Sequence, residues 1–98
     1  MENIMNKYET VILVSAIITD EQRNEVVSKI QKLISANGKL IETEEKGKRK
    51  MAYEVKKHTE AFYYVLNFES EADFIAELQR NYRIIDEIIK FIVVKQDE

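Results

Sequence analysis

The chain has no cysteine, no proline and no tryptophan, and only two glycines and one histidine among its 98 residues. Without cysteine, a disulfide scaffold, a zinc ribbon and thiol catalysis are all excluded. Phosphate-cradling loops need clustered glycines ahead of a helix. Gly38 and Gly47 are nine residues apart and lead into extended segments, which disfavours nucleotide binding of that kind. The single histidine, His58, has no nucleophile or further ligand positioned beside it by the sequence, and it reads as a solvated loop residue. Glu42, Glu44 and Glu45 lie close together, yet on a strand Glu45 faces away from the other two. That pattern suits a solvated edge better than a metal site or an acid/base pair. Long hydrophobic runs are missing too: the longest, Val11 to Ile18, falls far short of the roughly 20 residues a membrane-spanning helix needs. The start, Met1 to Lys7, has neither a basic n-region nor an apolar h-region, so a cytosolic location without a membrane partner is expected. No catalytic residue, metal or cofactor is expected.

What is present is an ordinary globular balance, 45% hydrophobic and 34% charged, in a length that suits one domain with one core. The net charge of −3 argues against nucleic acid, but its distribution does not. Residues 1–45 carry −3 and residues 59–98 carry −5, whereas the 13 residues from Lys46 to His58 carry +5. A surface field is set by charges within about a Debye length, ~8–10 Å, so an acidic chain here holds a basic patch.

Tyr8 to Val14 is rich in β-branched and aromatic residues and predicts a first strand. Thr19 with Gln22 forms a capping-box pattern, and Val26, Val27, Ile30, Leu33 and Ile34 recur at helical spacing up to a stop at Gly38. Lys39 to about Lys56 predicts a long, charged second strand with a bulge or bend at Gly47. Phe62 to Phe68 predicts a third strand, with Lys57 to Glu60 as the hairpin connection. Ser70 with Asp73 reads as a second capping box, opening a helix whose stripe is Phe74, Ile75, Leu78 and Tyr82. Ile88 to Lys95 predicts the fourth strand. Residues 1–6 are expected to be a flexible extension, 7–95 a single domain and 96–98 a solvated tail.

The order β-α-β-β-α-β in so short a chain predicts an α+β, ferredoxin-like sandwich: a four-stranded antiparallel sheet with two helices on one face. Right-handed crossovers put strands 1 and 3 in the centre. Strands 1, 3 and 4 carry apolar residues on both faces, although two helices cover only one. The helix-free face is therefore expected to be apolar and to meet a partner, an oligomer or a stacked ligand.

The segment Lys46 to Lys57 mixes point charges with an aromatic. Extended geometry puts Lys48 and Lys50 on one face and Arg49, Met51, Tyr53 and Val55 on the other. One face then suits phosphates, while Arg49 and Tyr53 offer planar groups on which exposed bases stack. The plainer reading of the same residues is an edge strand protected from aggregation by its lysines.

From Lys7-Tyr8-Glu9 through Gly47-Lys48-Arg49-Lys50-Met51-Ala52-Tyr53-Glu54-Val55-Lys56 to Ile92-Val93-Val94-Lys95, nearly the whole chain resembles the bacterial small-subunit ribosomal protein six family. Met51 and Val55 replace the family's Leu and Ile, and Ala61 stands where a Gly is usual before the third strand's aromatics. The resemblance implies a structural and assembly component of the small ribosomal subunit, not an enzyme. It further implies binding to the central domain of the small-subunit ribosomal RNA together with small-subunit ribosomal protein eighteen, and a monomer when isolated. The RNA-binding residues expected on this basis are Tyr8, Lys46, Lys48, Arg49, Lys50, Tyr53, Lys56 and Lys57. Two rivals share the fold. An acylphosphatase needs a glycine-rich anion loop with an Arg after the first strand, and Ser15 to Thr19 has neither. A regulatory or oligomerisation module acting without RNA would use the sheet face and would form stable oligomers.

Overall fold

The computed structural model describes residues 5–96. The elements are β1 (Asn6–Ser15), α1 (Asp20–Asn37), β2 (Gly38–Val55), β3 (His58–Ser70), α2 (Asp73–Ile84) and β4 (Ile88–Lys95). All strand pairings are antiparallel and the order is β2-β3-β1-β4, with β1 and β3 central as the crossover rule requires. Most of the expected extension and tail lies outside the described residues; β1 itself already begins at Asn6, which pairs with Ser70.

Thr19 caps α1 as its sequence dictates. Its hydroxyl accepts from the Gln22 amide, and the Gln22 side chain accepts from the Thr19 amide. Gly38 does end the helix, for a different reason from the usual left-handed glycine stop. Its φ of −173° is extended, and the constraint is close approach, since a Cβ there would collide with the Glu69 carbonyl oxygen of β3.

The second capping box does not form. Ser70 is the last residue of β3, fully buried and paired with both Asn6 and Gly38. Its hydroxyl donates to the Glu71 carbonyl, so α2 starts without a side-chain cap. Sheet pairing has outcompeted the local motif.

Val26, Val27, Ile30 and Ile34 of α1 and Phe74, Leu78 and Tyr82 of α2 pack on Tyr8, Ile12, Val14, Tyr64, Leu66 and Phe68 from the centre of the sheet. One polar thread runs through this core: Thr10 Oγ1 donates to the Ile92 carbonyl (2.9 Å), which leaves Tyr82 as the donor in its 3.1 Å bond to Thr10. Burial pushes the Tyr82 phenol well above its ordinary pKa.

Candidate nucleic-acid interface

The hairpin between β2 and β3 is tighter than the sequence suggested. Val55 pairs directly with His58, so the turn is Lys56-Lys57 alone and His58 opens β3 instead of lying in a loop. Both turn residues have positive φ, 50° and 68°, the signature of a type I′ turn. Asn-Gly normally serves there. Two lysines adopt this backbone at a cost of about 1–2 kcal/mol per residue, and the turn carries two charges at its apex in return. Ala61 needs no such backbone: it lies within β3, fully buried, opposite Ser15 and Arg49.

The register of β2 shifts at Gly47, whose φ is +85°, and again beyond Lys50. Lys50 pairs with Glu60 and Val55 with His58, so five steps along β2 match two along β3. The three surplus residues arch over the helix-free face of the sheet. Met51 is thereby buried with Leu13 of β1, Ala61 of β3 and Ile89 of β4, a second small cluster flanked by Val11, Val55 and Tyr63. Tyr53 goes further, to the opposite edge strand, where Lys90 Nζ lies 3.3 Å from its hydroxyl and 5.6 Å from its ring centre.

Lys46, Lys48, Arg49, Lys50, Tyr53, Lys56 and Lys57 are all exposed on this hairpin. The expected alternation holds from Gly47 to Lys50, where the register is unbroken and Lys48 and Lys50 flank Arg49 on the opposite face. Beyond Lys50 a register shift breaks the period, yet Met51, Tyr53 and Val55 still gather on the helix-free face, as expected. Arg49 makes one long bond, 3.4 Å from its Nε to the Lys46 carbonyl, and its remaining N–H groups face solvent. Lys46 makes a half-exposed ion pair with Glu44 at 3.5 Å, worth little in water. Ile17, largely exposed after β1, lies beside Lys48 and Lys57.

Tyr8 does not belong to this group. It pairs with Phe68 at the far end of β1, whereas the hairpin adjoins the Ser15 end, and its buried ring stacks on Phe68 at 5.5 Å. Its packing value as a core ring outweighs the surface role expected of it. Lys90 was missed by the sequence reading, although one signal marked it: it is the single charge inside the apolar run Ile88 to Val94.

Beyond the arch, the helix-free face stays open. Ile92 and Val94 are each about half exposed (51% and 49%), alongside Val11 and Tyr63, as the two-sided apolar strands predicted. Among the described residues, no cluster of His, Asp or Glu has the makings of a metal site, and no helix is long and apolar enough to cross a membrane.

A helix-backed antiparallel sheet with a partly open apolar face and a cationic hairpin defines a small α+β, ferredoxin-like protein. Residues 7–95 match the family described as Ribosomal protein S6. The chain is 41% identical to the small ribosomal subunit protein bS6 of Heliobacterium modesticaldum, covering 96% of this chain and 99% of that one. It is 36% identical to the bS6 of Alkaliphilus oremlandii, covering 96% and 100% respectively. The crystal structure of 30S ribosomal protein S6 from Thermotoga maritima superposes with a TM-score of 0.90 at 30% identity, covering 95% of this chain and 89% of that one. The chain belongs to the ribosomal protein S6 family. It is thus a structural, non-enzymatic component of the small ribosomal subunit, working on the ribosome in the cytoplasm.

Proposed function

We propose that the protein binds the central domain of small-subunit ribosomal RNA through the basic hairpin, and does so together with small-subunit ribosomal protein eighteen. The observation that carries this reading is the concentration of six exposed cations, Lys46, Lys48, Arg49, Lys50, Lys56 and Lys57, on one hairpin of an otherwise acidic chain. Phosphate contacts of this kind supply affinity and position, and Arg49 adds a planar fork suited to bidentate or stacked contact. The bare apolar face around Ile92 and Val94 suits the partner protein, since a soluble monomer gains by covering it. The net charge of the isolated chain is negative, so RNA affinity should be poor alone and rise once a basic partner docks.

Binding of a labelled central-domain RNA fragment, titrated with and without protein eighteen, tests both halves. Tight binding with the partner and weak binding without it is expected; equal affinities remove the cooperative claim, and no binding in either arm removes the RNA claim. Gel filtration of the protein alone is expected to give a monomer.

A further inference from the structure

The arch of β2 builds a small composite site that no single strand contains. Lys90 pairs with Leu13 across the β4/β1 ladder and so stands on the helix-free face, where the arch brings Tyr53 over to it. The two side chains border a depression of about 200 Å³ floored by Leu13, Met51, Val55 and Tyr63. Whole small-molecule ligands fill pockets of about 300–1,000 Å³, so this one is sized for a single ring. Tyr53 is 64% exposed and the floor is apolar. Among the described residues Lys90 forms no ion pair with a carboxylate; its Nζ donates to the Tyr53 hydroxyl and lies 5.6 Å from that ring's centre.

An exposed aromatic wall, an apolar floor and a cation at the rim, in a chain whose hairpin carries six further cations, complement a planar ring attached to a negative backbone. We propose that this depression takes one unstacked base of single-stranded RNA, its face against Tyr53, with a neighbouring phosphate on Lys90. The inference rests on the RNA reading above and adds to it a stacking position and a cation from the opposite edge of the sheet.

The test uses the full chain with protein eighteen and the central-domain RNA fragment, each variant first shown to be folded by its thermal unfolding curve. Tyr53→Ala should weaken RNA binding by roughly 5- to 150-fold with little change in salt dependence, the range that stacking one base on an aromatic ring supplies. Tyr53→Phe should bind nearly as the parent. Lys90→Gln should reduce the slope of log K against log salt by about one, and Lys90→Arg should restore it, a rescue that a merely structural lysine would not show. Folded Tyr53→Ala and Lys90→Gln variants that bind RNA like a binding-competent parent would overturn this inference alone. A parent that does not bind RNA would overturn the RNA reading, and this inference with it. Loss of affinity for protein eighteen in the absence of RNA would assign the depression to the protein partner instead.

Discussion

The two faces of the sheet are built from the same strands and end in opposite states. On the helix-packed face Ile12, Val14, Leu66 and Phe68 are fully buried, and the one polar thread, Tyr82 to Thr10 to the Ile92 carbonyl, is satisfied throughout. On the other face a bulged strand covers only part of an apolar surface, with lysines in a left-handed turn and a tyrosine left out in solvent. The first face spends its residues on stability. The second carries exposed apolar side chains and backbone strain, features that persist where a surface is kept for a partner.

The largest effect separating the faces is in the core. Leu66→Ala should destabilise the fold by about 2–5 kcal/mol, whereas Ile92→Ala should cost under about 1 kcal/mol, both read from denaturant unfolding. Comparable losses at the two positions would break the contrast.

The hairpin turn gives the next effect, with opposite sign. Replacing Lys56 by Asn and Lys57 by Gly relieves two positive-φ lysines and should raise stability by about 1–2 kcal/mol. The same double change should lower RNA affinity by removing two charges. A more stable protein that binds RNA unchanged would mean that the turn lysines serve no contact.

The buried phenol sets a pH limit on the packed face alone. Burial raises the Tyr82 pKa in the folded state, so above the ordinary tyrosine value of about 10 the unfolded chain has lost that proton while the native one keeps it. The unfolded state then binds fewer protons, and stability falls with rising pH by up to about 1.4 kcal/mol per unit. Stability measured from pH 9 to 11 should show this fall in the parent and a shallower one in Tyr82→Phe. An equal slope in both would detach it from Tyr82.

The smallest expected stability effects belong to the hairpin itself. Lys48→Ala and Lys50→Ala should each leave stability within about 0.5 kcal/mol while reducing the salt slope of RNA binding by about one. Arg49→Ala should cost more affinity than either.

The packed face was the more legible in the sequence. Helical periodicity, the Thr19 capping box and the strand order come from local patterns that tertiary contacts reinforce. Ser70 misled because a capping motif is local while its burial between two strands is not. The hairpin turn was unreadable because it lacks the Gly or Asn that normally marks positive φ. The arch that carries Met51 over the sheet and Tyr53 to Lys90 depends on register, and three surplus residues in a charged strand leave no periodic trace. The basic segment itself was plain; Tyr8 was misplaced because which end of β1 adjoins the hairpin is decided only by pairing with β3.

The salt dependence of RNA binding tests the basic hairpin most directly. With the central-domain RNA fragment and protein eighteen present, log K plotted against log salt should fall with a slope of about −2 to −4, as release of counterions from a few phosphates requires. An affinity that stays flat from low to physiological salt would contradict the assignment of this hairpin as an RNA interface.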